Sequence, residues 1–340
     1  MSKEKTKQLH KQVAPYAKSD TWHSIGQIIN TIPPFFFLWF LAYQSYLVHP
    51  LLSLPFAVIA AGFMVRTFII FHDATHGSFF KKKWANDLIG NITGILTFFP
   101  YEQWKREHIT HHATSSNLDK RGTGDIWVMT VEEYVNASKW ERFIYRFYRN
   151  PLVMFGIGPF YLVFFSNRLN RKGARLKERL NTHFTSLMIA LISIGMMLWI
   201  GWQPFVVIQG TIIFVAASLG IWLFYIQHTF EDSYFEHKED WNYVQAAVEG
   251  SSYYKLPKVL QWLTGNIGFH HVHHLAPRVP NYRLEEAHEN VKPLQEATTL
   301  TLKTSLETIK YKLYDAEEQR FVTFRDVAPL IADEKRRVTS

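Results

Sequence analysis

Four apolar blocks arranged as two close pairs constrain this 340-residue chain more than any other feature. Residues 28–48 carry no charge and are long enough to cross a hydrocarbon layer, which takes about 20 residues. After the short turn His49-Pro50, residues 51–71 run back with Arg66 as their one charge. A second uncharged pair, 184–200 and 205–226, flanks Gly201-Trp202-Gln203-Pro204. Each pair reads as a transmembrane hairpin, with Pro33 and Pro34 setting a bend near the start of the first span. The whole-chain mean hydropathy of −0.10 conceals this, because the charges, net +8, lie between the blocks.

Charge placement then gives an orientation. Lys81, Lys82 and Lys83 follow the first hairpin and a basic run at 168–179 precedes the second, whereas neither hairpin turn contains Lys or Arg. Positive charge marks the cytoplasmic side, so both chain ends and the regions between hairpins are expected there. Residues 88–100 and 151–165 are apolar but shorter than a span and are expected to lie in or dip into the interface without crossing. Residues 140–149 are basic and aromatic, which suits a helix on anionic headgroups. Arg66 lies close enough to a span end to snorkel. The amino terminus, with Lys3, Lys5, Lys7, Lys11 and Lys18, does not read as a secretory signal.

The chemistry is carried by histidine. His108, His111 and His112 stand at i, i+3 and i+4, which on a helix presents three imidazoles to one face. The spacing is repeated in His270, His273 and His274, and echoed by His72 and His76. With 16 His in the chain, one such triplet is expected by chance about 0.03 times and two roughly once in a thousand chains. With no Cys, a metal must be held by nitrogen or oxygen, so zinc-ribbon and iron–sulfur readings fail. The three clusters supply eight imidazoles, and His228, emerging from the fourth span at the level of His72 and His76, makes nine. One transition metal rarely takes more than about six ligands, so two metals are expected.

Imidazole alone does not choose among iron, copper and zinc. A dinuclear site at the cytoplasmic mouth of a four-span bundle can receive an apolar chain from the bilayer. Attack on an unactivated C–H bond there needs an oxidant made from dioxygen, which iron with open positions supplies. Asp73, Glu107, Asp119 and Asp125 lie near the clusters. Of these, Asp73, between two ligands, is expected to orient an imidazole.

His72-Asp73-Ala74-Thr75-His76, His108-Ile109-Thr110-His111-His112 and His270-His271-Val272-His273-His274 resemble the three histidine boxes of the integral-membrane fatty acid desaturases in order, number and spacing. The stretches 265–269 and 275–282 look most like the bacterial acyl-lipid (phospholipid) desaturases of the Bacillus type. The resemblance implies an all-α membrane protein, four transmembrane helices in two hairpins under a cytoplasmic histidine-rich cap with a non-haem diiron centre. It also implies O2-dependent insertion of a cis double bond into a saturated acyl chain, carried by a membrane phospholipid. The ligands carried over are His72, His76, His108, His111, His112, His228, His270, His273 and His274, with His271 the alternative in the third box.

Two departures from relatives bear on substrate and electron supply. Where animal acyl-CoA members carry Asn one turn before the fourth-span His, this chain has Phe224. That argues against an acyl-CoA substrate and leaves Gln227 or Asn266 to supply the polar contact. The haem-binding His-Pro-Gly-Gly of a fused cytochrome is also absent, since His49-Pro50 continues with Leu51-Leu52. Electrons are therefore expected from a separate ferredoxin or flavodoxin, steered to the basic cytoplasmic face. No nucleic-acid partner is expected. The expected divisions are a cytoplasmic segment 1–27, hairpins 28–71 and 184–226, a cytoplasmic or interfacial region 72–183, and a cytoplasmic region 227–340. A diiron hydroxylase or ketolase on an alkane, sterol or carotenoid is the competing enzyme reading. A metal transporter or haem-binding membrane protein competes from outside enzymes, although transporters place their ligands near mid-bilayer.

Overall fold

The computed structural model describes residues 3–339. Two helices, α1 (Lys3–Val13) and α2 (Thr21–Ile29), precede the first hairpin, made of α3 (Ile32–Val48) and α4 (Ser53–His76). Asp20 caps α2 by accepting from the His23 N–H at 2.9 Å. Asn30 and Thr31 separate α2 from α3, where Pro33 and Pro34 occupy the first turn and lack the N–H groups a continuous helix would need. The second hairpin is α10 (Leu176–Ile200) and α11 (Trp202–His228). Gly201 turns between them at φ 93°, a conformation few side chains tolerate.

Four stretches are long and apolar enough to cross a membrane, among the described residues: Thr21–Val48, where α2 leads into α3, then Pro50–His76, Leu176–Ile200 and Trp202–His228. They overrun the apolar blocks: α4 continues past residue 71 to carry His72 and His76, and α11 ends on His228. The hairpins pack through small and branched residues, with Ala57, Ala60, Ala61 and Met64 of α4 in one cluster with Ile208, Ile212, Ile213 and Ala216 of α11. Phe36, Phe37, Phe40, Leu187, Leu191 and Leu198 remain exposed around the outside, as expected for surfaces that meet lipid tails.

Between the hairpins lie α5 (Lys83–Thr97), α6 (Tyr101–Thr114), strand β1 (Met129–Thr130), α7 (Val131–Asn136) and α8 (Lys139–Tyr148). The 15 residues of α5 are too few to span, and the helix packs beside the end of α4 around buried Tyr101. The apolar residues of α8, Trp140, Phe143 and Phe147, form one exposed stripe next to its arginines. Residues 153–165 form two widened turns around α9 (Gly158–Phe160) and lie along α11, tied by Ser218 Oγ donating to Phe155 O at 2.8 Å. Arg66 does not snorkel. It is largely buried on α4, where it donates to Thr31 Oγ1 at 3.1 Å and stacks over the Trp262 ring, so these contacts hold it short of the helix end.

Beyond α11 come α12 (Tyr243–Val248), β2 (Tyr253–Lys255), α13 (Lys258–Leu263), α14 (His270–Leu275) and α15 (Leu284–Asn290). Past α15 the chain also forms three short strands, β3 (Thr299–Thr301), β4 (Leu313–Asp315) and β5 (Arg320–Val322). Parallel β2–β3 aligns Tyr254 with Leu300, while β4 pairs in parallel with β1 and antiparallel with β5. Strands of two or three residues are too short to show a period of two, and their partners are remote in sequence. The fold class is nonetheless the all-helical membrane architecture that the sequence implies.

The C-terminal sheet is fastened to α8 and α11 by a cationic core. Arg149 is fully buried and donates to Trp127 O and Tyr311 O, both at 3.1 Å, and Lys312 Nζ donates to Arg149 O at 2.9 Å. Among the described residues neither cation forms an ion pair. Burial, and secondarily the Arg149 guanidinium, push the Lys312 ammonium down to about 7. An unfolded lysine keeps its proton up to about pH 10.4. Between these values the unfolded chain binds more protons, so stability rises with pH, and below the folded value the full penalty persists. Melting temperatures from pH 6.5 to 10 are expected to rise for the native chain relative to Lys312→Met; parallel profiles would contradict this reading.

Candidate metal centre

Helix periodicity decides how the imidazoles are shared. On α6, His111 and His112 project to opposite sides of His108, about 60° one way and 40° the other for 3.6 residues per turn. The three therefore do not meet at one point, as their common face alone suggested, but straddle two. His108 and His112 join His72, His76 and His273 in one group of five, and His111 joins His228, His270 and His274 in a group of four. Within each group one ligand atom per residue lies within 4.8 Å of all the others. The helix α14 mirrors α6: its i and i+4 histidines enter the second group and its i+3 histidine the first. The two groups touch where His112 and His274 stack with ring centroids 4.2 Å apart.

A tight turn delivers α14 to this position. Gly265 and Asn266 adopt φ of 52° and 57°, and a Cβ on Gly265 would stand 2.8 Å from Ile69 Cγ2. Gly268 then passes so close to strand β2 that its carbonyl accepts from the Tyr254 N–H at 2.7 Å.

The electrostatics suit cations. His108, His112, His270, His273 and His274 are pushed well below the usual imidazole range, first by burial and then by one another. They are neutral at pH 7, the form that ligates. Yet His108 Nε2 faces His112 Nε2 at 3.1 Å and His270 Nε2 faces His228 Nε2 at 3.0 Å. Such lone pairs need a proton or a metal between them. His76 Nε2, His111 Nε2, His274 Nε2 and both nitrogens of His273 are buried with no hydrogen-bond partner. An orphaned buried polar atom costs about 1–3 kcal/mol. Metal coordination at each group satisfies one nitrogen of every such ring, so the donor set fits two metal ions.

The remaining ring nitrogens are held from outside. Asp73 Oδ1 accepts from His72 Nδ1 at 3.1 Å, while its Oδ2 accepts from the Asn281 N–H at 2.7 Å and the Asn281 amide at 2.8 Å. Asp125 accepts from His111 Nδ1 at 2.5 Å, and the Gly250 carbonyl from His228 Nδ1 at 3.0 Å. Each bond fixes the tautomer that turns Nε2 inward. Trp104 stacks on His108 with centroids 4.2 Å apart. Asp125→Asn is expected to weaken metal retention about 10–100-fold, as loss of such outer partners does, measured by extraction into a chelator; retention equal to the native chain would contradict that role.

Other sequence candidates stand elsewhere. Gln227 donates to Ile267 O at 3.0 Å, and Asn266 donates to Asn281 O at 3.1 Å, so neither bonds an imidazole of the two groups. The place of the polar residue is filled by the Phe224 ring, 5.1 Å from His111. His271 turns away from both groups and pairs with His288 at 3.0 Å. Glu107 pairs with Arg171 and Asp119 with His237. Asp125 was one of four nearby carboxylates with nothing in its spacing to favour it. Trp104 carries the i, i+4 signal to His108, whereas a backbone carbonyl such as that of Gly250 leaves no trace in sequence.

Comparison with known proteins agrees with this geometry. A family model described as fatty acid desaturase matches residues 48–305. The chain is 58% identical over 323 residues to a fatty acid desaturase of Bacillus subtilis (strain 168), covering 95% of this chain and 92% of the relative. It is 26% identical over 296 residues to the sn-1 oleoyl-lipid 12-desaturase of Synechocystis, covering 84% and 80% of the two chains. A further Synechocystis relative, an sn-1 acyl-lipid omega-3 desaturase (ferredoxin), is 28% identical over 244 residues, covering 67% and 64%.

Proposed function

The chain belongs to the fatty acid desaturase family, and from that premise we propose that it inserts a cis double bond into an acyl chain of a membrane phospholipid, using two iron ions and dioxygen. It is a membrane-bound oxidoreductase acting on acyl lipids. The observation that carries the finer reading is the division of nine imidazoles into groups of five and four that share one wall.

His72, His76, His108, His112 and His273 would hold the first iron, and His111, His228, His270 and His274 the second. When bound, a diiron pair would supply the dioxygen-derived oxidant for removal of two hydrogens from neighbouring methylenes, with two carrier electrons and two protons completing reduction of dioxygen to two waters. The protein's own part is position and exclusion. Asp73, Asp125 and the Gly250 carbonyl keep three imidazoles in the ligating tautomer. Phe224 and Trp104 place apolar rings beside the ligands, restricting water at the place where an acyl carbon must sit. Fixing one methylene pair under the metals is what selects the double-bond position.

Cytoplasmic placement of the site and of both termini is supported by the basic residues that follow the first hairpin and precede the second. The electron donor is a separate ferredoxin or flavodoxin, docking on the basic cytoplasmic face; the ferredoxin in one relative's name favours that class. Expression in a host making saturated lipids, followed by mass-spectrometric location of double bonds in intact phospholipids, is expected to reveal monounsaturated acyl chains. Unchanged lipids despite sufficient iron and reductant would contradict the assignment, and a hydroxylated product would favour the hydroxylase reading.

A further inference from the structure

An open cleft of about 710 Å³ lies on the flank of α4 away from the imidazoles, between α2, α13 and the turn at Asn281. Its volume falls in the range of small-molecule sites. The lining is polar and uneven in charge: Gln27, Asn30, Gln261 and Asn266 supply amides, and Lys258 is neutralised by Glu285. Arg66 remains as the uncompensated cation. Its guanidinium is held by Thr31 and the Trp262 carbonyl and ring, while Nη2 has no hydrogen-bond partner among the described residues.

The position of the cleft says what it meets. Arg66 stands less than two turns before His72 on a membrane-spanning helix, and Trp22 and Trp262 border the opening, Trp22 being 80% exposed. Tryptophans concentrate at the headgroup level. On α13, Val259 and Leu260 are exposed beside Lys258, while Leu263 lies 3.4 Å from the site of a Gly62 Cβ, so the helix rests on α4 with an apolar edge outward. A cation backed by an indole, ringed by amides at this depth, matches one phosphodiester, to whose oxygens the remaining guanidinium nitrogen can donate.

We propose that this cleft binds the headgroup of an anionic glycerophospholipid, its phosphate on Arg66 and its glycerol and ester oxygens on the amides. It is joined to the metal centre by hydrogen bonds: Gln27 donates to Asn281 at 3.1 Å, and Asn281 to Asp73, which holds His72. The inference rests on the cleft and on the membrane placement, not on which lipid is desaturated, so binding is read without turnover.

Gly26 offers a plug. It lines the cleft from α2, and a Cβ there would meet nothing within 4 Å. The test is native mass spectrometry of the full chain in detergent, offered equal phosphatidylglycerol and diacylglycerol with the same acyl chains. The native protein and Gly26→Ala are expected to retain phosphatidylglycerol preferentially. Gly26→Trp is expected to lose about 10-fold in retention, and Arg66→Gln to lose the preference for the phosphate-bearing lipid. Metal content of each variant reports its fold, and should the plug prevent folding, Trp22→Ser at the exposed rim is expected to weaken retention about threefold. Equal retention of both lipids by the native chain, undiminished phosphatidylglycerol on folded Gly26→Trp or Arg66→Gln, or full displacement by inorganic phosphate would overturn the proposal.

Discussion

His111→Ala is expected to lose the metal of the four-histidine group and to lower desaturation by about 100-fold or more, at least the upper end of what removing an outer partner of a metal ligand does. His111 offers Nε2 to that group and is the group's only member from α6. Its loss leaves three imidazoles and releases Asp125 from its bond to Nδ1. His271→Ala is the matched control: one residue from His270, equally buried, but paired with His288 outside both groups. It is expected to keep both metals. Metal analysis of the two purified variants checks the contrast, and full iron content in His111→Ala would remove that residue from the ligand set.

Gly268→Ala is the second expected large effect, from a residue that ligates nothing. A Cβ there would stand 2.4 Å from the Tyr254 carbonyl oxygen, and a backbone atom in a strand cannot swing aside as a side-chain end can. The same pair is tied by the Tyr254 N–H to Gly268 O bond, so relief requires moving either strand β2 or the start of α14. Overpacking of this kind costs about 1–3 kcal/mol. Because α14 feeds both groups, with His273 in one and His270 and His274 in the other, both metals are expected to fall together. Melting temperature and metal content measured side by side test this; a destabilised protein that kept both metals would show that α14 is positioned by something other than this close approach.

Much of this was legible from spacing and charge. The two hairpins follow from uncharged length, and their shared side from the Lys and Arg distribution. The nine candidate ligands stand in the two groups, because helices at the ends of α4 and α11 rise to the level of α6 and α14. What spacing did not give was the sharing. Common-face reasoning sends His108, His111 and His112 to one point, but the 100° between His111 and His112 is enough to serve two metals once a second helix faces the first. The outer partners were legible only where they are adjacent in sequence. Asp73 stands beside its histidine, whereas Asp125 is 14 residues from His111 and Gly250 contributes only backbone. Arg66 is held short of the span end by Trp262, nearly 200 residues away, a contact that its own helix does not announce. The short strands past Arg283 depend on partners as distant as β1.

The convergence of nine imidazoles into two metal-holding groups is open to direct measurement. Protein purified anaerobically from iron-replete cells, analysed by elemental analysis and Mössbauer spectroscopy, is expected to contain two irons per chain in two nitrogen-rich environments. A single iron per chain, or two identical sites that both persist in His111→Ala, would contradict it.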